Sequence, residues 1–141
     1  MGYNKRMRVR KARKADFSQI PKLARALGLD YADMAADDFW VAEDKEKILG
    51  ICGLKKHPDC FELCSLGVDE RYRRQGLAGR LVMTLLQNIE GEIYLATIIP
   101  GFFEKFGFKK TGHFPSSMVK TSKWCAGCNP ELCTVMIKAN R

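Results

Sequence analysis

The stretch Val68-Asp69-Glu70-Arg71-Tyr72-Arg73-Arg74-Gln75-Gly76-Leu77-Ala78-Gly79-Arg80 decides the fold. It leaves an apolar run, passes a glycine-containing turn and enters Leu81, Val82, Leu85, Leu86 and Ile89 at helical spacing. The order is strand, turn, helix. A helix N-terminus leaves several backbone N–H groups without intrahelical partners, and small residues at Gly76, Ala78 and Gly79 let an anion approach them closely. Arg71, Arg73, Arg74 and Arg80 add positive charge around the turn. Two nucleotide loops are excluded by spacing, because Lys followed by Ser or Thr is missing and no Gly-x-Gly-x-x-Gly follows a strand. The competing reading of the turn is a helix start whose glycines serve only packing.

Outward from this unit, Phe39 to Ala42, Ile48 to Leu54 and Cys60 to Val68 read as three strands of an antiparallel meander, joined by Glu43 to Lys47 and by the His57-Pro58-Asp59 turn. Arg6 to Lys11 suits a half-exposed strand. Phe17, Ile20, Leu23, Ala24 and Leu27 repeat at helical spacing, with Asp16 and Gln19 in capping-box positions and Gly28 as the stop. Asp30 to Asp38 suggests a short second helix. Beyond the turn, Ile93 to Ile99 is an apolar strand broken by Pro100-Gly101, Phe102 to Phe106 fits a short helix closed by Gly107, and Phe108 to Lys110 and Leu132 to Lys138 supply final strands.

A chain of 141 residues fits one domain. With 46% hydrophobic and 28% charged residues it is an ordinary globular composition, which excludes wholesale disorder and low-complexity architectures. No apolar run approaches the roughly 20 residues that span a bilayer, and Met1 to Lys14 is basic without a signal-peptide core, so a soluble, cytoplasmic protein without membrane partners is expected. The net charge of +8 favours anionic partners. Lys5, Arg6, Arg8, Arg10, Lys11, Arg13 and Lys14 all precede the first acid, Asp16, and form either a solvated edge or a nucleic-acid surface, the latter disfavoured. Six cysteines in such a chain are expected to be reduced thiols, with Cys52 and Cys64 as small core residues.

Arg73-Arg74-Gln75-Gly76-Leu77-Ala78 resembles the pyrophosphate-binding motif Gln/Arg-x-x-Gly-x-Gly/Ala of the GNAT superfamily of N-acetyltransferases. The likeness extends to Trp40-Val41-Ala42-Glu43, Leu49-Gly50, Ser65-Leu66-Gly67-Val68 and Phe103-Glu104-Lys105-Phe106-Gly107-Phe108. Pro100-Gly101-Phe102-Phe103-Glu104, Phe114-Pro115 and the tail Trp124-Cys125-x-x-Cys128-x4-Cys133 are similar to short amino-acid acetyltransferases related to N-acetylglutamate synthase. The resemblance implies an α/β (α+β) fold, a mixed and mainly antiparallel sheet flanked by helices, in a single N-acetyltransferase domain over 1–141 with a cysteine-containing excursion at 113–133. It also implies acetyl-CoA as donor. Leu66, Gly67 and Val68 would line its pantetheine and polarise the thioester carbonyl, and Arg73, Arg74, Gln75, Gly76, Leu77, Ala78 and Gly79 would meet its pyrophosphate.

A primary amine is mostly protonated near pH 7, so acetyl transfer needs a proton acceptor. Glu62 is the candidate base, since the resemblance places acidic residues of its strand near the acceptor amine; a solvent-facing carboxylate is the alternative. Where the family often carries a tyrosine as general acid, this chain has Phe103, and Phe102, Phe103, Phe106 and Phe108 read as core or pocket wall. His57 and His113 read as turn residues. The acceptor is expected to be a small-molecule amine, an amino acid such as glutamate; a peptide, lysine or polyamine amine, and a non-catalytic acyl-CoA-binding or nucleic-acid-binding module, stay open. A homodimer is compatible with the sequence. Cys125, Cys128 and Cys133 have zinc-knuckle spacing but supply three ligands where a structural site takes four, so no metal is assigned.

Overall fold

The computed structural model describes residues 7–29, 38–113 and 134–140. The helix expected at 30–38, apart from its last residue, and the cysteine-containing excursion after His113 lie outside the described residues. The elements are β1 (Arg8–Lys11), a 3-10 turn (Lys14–Asp16), α1 (Gln19–Ala26), β2 (Phe39–Asp44), β3 (Lys47–Lys56), β4 (Phe61–Val68), a 3-10 turn (Glu70–Tyr72), α2 (Leu77–Asn88), β5 (Gly91–Thr97), α3 (Pro100–Glu104), β6 (Lys109–Lys110) and β7 (Thr134–Asn140). Strands pair in the order β1-β2-β3-β4-β5-β7-β6. The β1/β2, β2/β3, β5/β7 and β6/β7 pairs are antiparallel and β4/β5 is parallel, so the expected mixed, mainly antiparallel α/β sheet is the one formed. A parallel pair cannot be closed by a tight hairpin, and α2 supplies the connection from β4 to β5.

The chain groups into two compact units, Met1–Lys55 with Cys64–Ile89, and Lys56–Leu63 with Glu90–Arg141. In the first, α1 buries Ile20 and Ala24 against Phe39, Val41, Ile48 and Ile51. The helix ends as its sequence predicts: Gly28 has φ +71°, its N–H donates to Arg25 O and that of Leu29 to Ala24 O, a Schellman close that glycine accommodates without strain. Against other residues of the strands lies α2, whose Leu77, Leu81, Val82 and Leu85 are buried; a methyl group at Gly50 would stand 3.1 Å from Leu81 Cδ1.

The start of α1 differs from expectation. Ser18, not Asp16, holds the N-cap position, because the Asp16 carboxylate is engaged by the Arg10 guanidinium and the Arg13 N–H. Gln19, expected to complete a capping box, instead accepts from Ile48 N–H and donates to Glu46 O, tying α1 to the β2–β3 turn. Part of the basic N-terminal run is likewise spent internally. Arg8 and Arg10 pair with Glu43, and Lys11 lies over the Trp40 ring, so β1 is a charged sheet edge of the kind that discourages strand addition.

In the second unit β5 pairs along its whole length with β7, from Gly91 opposite Asn140 to Thr97 opposite Thr134. Thr97 Oγ1 accepts the Ile99 N–H at 2.9 Å, which turns the chain and ends the strand two residues before the expected limit, leaving Ile98 and Ile99 exposed. Pro100 then begins α3 rather than preceding it, at a position whose N–H would have no helical partner. Phe103 and Phe108 are buried with edge-on rings 5.9 Å apart.

Candidate active site

Strand β4 is irregular where it matters. Ser65 has φ +53°, a left-handed conformation that a non-glycine residue takes at a cost and that breaks the regular pleat just before Leu66. Gly67 is bare because space is lacking: a methyl there would come within 2.8 Å of the Leu27 and Leu29 Cδ1 atoms. Val68 is buried, and the chain leaves the strand at Asp69, whose N–H donates to Leu49 O at 2.7 Å.

The turn that follows divides its arginines. Arg71 folds onto Asp69, with its backbone N–H 3.0 Å and its guanidinium 3.2 Å from the carboxylate, and this holds the Asp69 carboxyl below the usual carboxylate range. Arg73 Nε donates to Val68 O at 3.1 Å, and Arg80 reaches back to Met7 O. The exposed Arg74 has φ +67° and Gly76 has φ +77°. The guanidiniums of Arg71, Arg73 and Arg80 therefore each have a protein partner, nearby in sequence for Arg71 and Arg73 and at the start of the chain for Arg80.

What the turn offers is backbone. Arg80 N–H makes the first helical bond, to Gly76 O at 3.0 Å, so the N–H groups of Leu77, Ala78 and Gly79 stand ahead of it at the positive end of the 12-residue α2. Gly76 is the N-cap with no side-chain cap bond, and a methyl group there would meet nothing within 4 Å. Open space above a left-handed glycine, two residues after the left-handed Arg74 and at a helix N-terminus, fits a phosphate.

Glu62, the candidate base, is not a solvent-facing carboxylate. Its side chain is 2% exposed, and Oε1 lies 2.8 Å from Nε2 of His57, itself 5% exposed. His57 does serve the turn, its N–H donating to Cys60 O at 2.8 Å, but its ring turns inward. Sequence reasoning missed this pair. The available signal was the spacing, five residues across a Pro-containing hairpin, which returns the second strand past the first. Glu62 is in register with Tyr94 on β5, and Tyr94 packs with Cys60, Val135 and Ile137. Burial pushes the Tyr94 phenol and the Cys60 thiol up, with nearby acidic side chains adding to the effect. Cys52 is fully buried and its thiol is pushed up by burial as well, in keeping with a core role, whereas Cys64 is half-buried. Phe103 packs edge-on to Phe102, ring centroids 5.0 Å apart. His113 is exposed, its N–H on Thr111 Oγ1. Among the described residues no group of three His, Cys, Asp or Glu side chains could hold a metal ion, and no helix is long and apolar enough to cross a membrane.

The sequence model of the acetyltransferase (GNAT) domain matches residues 35–110, a span that includes both the Gly76 turn and Glu62. The chain belongs to the GNAT acetyltransferase family. Among curated GNAT relatives, human (Homo sapiens) N-acetyltransferase 8 is 36% identical over 112 residues, covering 69% of this chain and 46% of that protein. The chain spans about half the length of these curated relatives. Among solved structures, N-acetylglutamate synthase from Neisseria gonorrhoeae, complexed with coenzyme A and N-acetyl-glutamate, superimposes with a TM-score of 0.77 at 16% identity, over 99% of this chain and 36% of that one. Arabidopsis thaliana Naa50, in complex with the bisubstrate analogue CoA-Ac-MVNAL, gives 0.65 at 21% identity, over 94% and 98% of the two chains. At these identities the likeness to the two structures establishes the fold.

Proposed function

We propose that this GNAT domain moves the acetyl group of acetyl-CoA to the primary amine of a small acceptor, an amino acid such as glutamate. The observation that carries the reading is the Gly76 turn: φ +77°, open space, and the N–H groups of Leu77, Ala78 and Gly79 directed from a helix N-terminus. Arg74 and Gln75 lie beside it, and Arg73, whose N–H donates to Glu70 O and whose Nε donates to Val68 O, contributes through the outer nitrogens of its exposed guanidinium. The backbone of Leu66, Gly67 and Val68, opened by the left-handed Ser65, suits the pantetheine amides and the thioester carbonyl. Strand β4 carries Glu62 as well, and we assign it the removal of a proton from the acceptor ammonium.

The amino-acid acceptor is supported by the fold likeness to N-acetylglutamate synthase over nearly the whole chain. A second reading, a peptide amine, is favoured by the Naa50 likeness, which covers nearly all of both chains. The test is an acceptor screen that measures CoA release from acetyl-CoA with glutamate, other amino acids, short peptides with free N-termini, lysine and polyamines. Turnover with glutamate and little with peptides is expected. The reverse order replaces the amino-acid reading with the peptide one, and no CoA release with any amine removes acetyl transfer.

A further inference from the structure

We infer that His57 is a positioning residue for Glu62, presenting its Nε2 hydrogen to Glu62 Oε1 so that the carboxylate stands oriented as the base; this rests on the acetyl-transfer reading above. The two atoms are 2.8 Å apart and both side chains are buried. A carboxylate can only accept hydrogen bonds, so if Glu62 is to receive a proton its partner nitrogen must be the donor, which requires a hydrogen on His57 Nε2. The His57 backbone is anchored by its N–H bond to Cys60 O and by Pro58 in the turn, and its ring is held by burial.

The groups around the pair argue for the same assignment. Glu62 lies in register with Tyr94 and interacts with Cys60, and around those two stand Asp59 on the hairpin, Glu92 on β5 and the apolar Val135 and Ile137 on β7. The Cys60 thiol and the Tyr94 phenol are both pushed upward and stay protonated at neutral pH, so neither competes as base. Glu62 takes one proton from the acceptor ammonium. The neutral amine forms the C–N bond to the acetyl carbon as the C–S bond breaks, the second nitrogen proton goes to the departing thiolate, and Glu62 returns its proton to water. An ammonium and a thioester thus become an amide, a thiol and one released proton. His57 keeps its own hydrogen throughout, so its role is orientation.

Two measurements test this. Nitrogen NMR of the imidazole in the wild-type protein should find the hydrogen on Nε2, and a hydrogen on Nδ1 with Nε2 bare overturns the inference without any variant. In kinetics with the best acceptor from the screen, His57→Phe should lower kcat about tenfold or more and change the acid limb of the pH profile, while KM for acetyl-CoA stays within about twofold. His57→Gln, whose amide can donate to the same oxygen, should recover much of the loss. A wild-type pH profile in folded His57→Phe removes the positioning role while leaving acetyl transfer standing, provided Glu62→Gln is impaired. Full activity in Glu62→Gln removes Glu62 as base, and absence of turnover in the wild type removes the parent reading.

Discussion

Arg10 grips Asp16 with both arms of its guanidinium, Nη1 2.7 Å from Oδ2 and Nη2 3.1 Å from Oδ1, and with Nε it donates to Glu43 Oε1 at 2.7 Å. Asp16 and Glu43 are almost fully buried, and the Arg10 hydrogen bonds are the main cause holding both carboxyls below the usual carboxylate range. A carboxyl whose pKa is depressed by folding contributes stability that is present above its unfolded value, about 4, and is lost as pH falls through the folded value. The melting temperature should therefore hold above about pH 5 and fall below about pH 4. Arg10→Met should cost about 2 kcal/mol or more at neutral pH, since it takes the shared guanidinium from two buried carboxylates and leaves Asp16 the Arg13 N–H and Glu43 the Arg8 side chain and the Glu46 N–H, and it should flatten the acid dependence. Thermal melts from pH 3 to 7 check this; parallel wild-type and variant curves would show that the network does not set the acid limb.

That network also shows where reading the sequence stops. The apolar runs of β2, β3, β4 and α2 are local signals and survive folding, as does the Gly28 stop, because each depends on residues within a turn or two of itself. The Gly76 turn and the start of α2 are legible for the same reason: Gly76 takes a left-handed conformation directly before the helix, as a glycine there allows. Asp16 and Gln19 have valid capping-box spacing, but Arg10, six residues upstream of Asp16, and the hairpin at Glu46 to Ile48 compete for them, and that competition is decided by tertiary proximity. The His57–Glu62 pair was hidden differently. Each residue has an ordinary local explanation, and the pairing follows only once the hairpin register brings them together.

The β2–β3 hairpin turns on Lys45 and Glu46, with φ +49° and +70°, so two residues with Cβ atoms occupy a left-handed pair of positions that favours Asn-Gly. Glu46 uses its backbone here, its N–H donating to Glu43 Oε2 and its carbonyl accepting from Gln19. Replacing Lys45→Asn and Glu46→Gly keeps those backbone bonds and relieves the steric cost. The double variant should gain about 1 kcal/mol in denaturant unfolding, with the slope unchanged. A loss of stability would mean that the side chains contribute more than the turn geometry costs.

Phe103 stands where the family resemblance leads one to look for a tyrosine, and it is buried beside Phe102 and Phe108. Phe103→Tyr would place a hydroxyl among aromatic rings. The expected outcome is a loss of about 1–3 kcal/mol of stability and no increase in kcat. A raised kcat with a new alkaline limb in the pH profile would instead place this ring against the reacting atoms.

The sharpest test of the anion turn uses a substitution whose two effects have opposite signs. Ala78 is the second residue of α2, half-buried, and its N–H is among those ahead of the first helical hydrogen bond. Ala78→Glu puts a negative charge in the first helical turn, where it complements the helix dipole and should leave stability unchanged or raised by about 0.3–1 kcal/mol. The same charge opposes a pyrophosphate at that turn, so acetyl-CoA affinity should fall about tenfold or more at low salt and partly recover as salt screens the repulsion. Ala78→Gln, similar in size without the charge, separates steric from electrostatic loss. Calorimetric titration with acetyl-CoA and thermal melts on the same samples read both effects, and a stable Ala78→Glu variant that binds acetyl-CoA as tightly as the wild type, at every salt concentration, removes this turn as the pyrophosphate site.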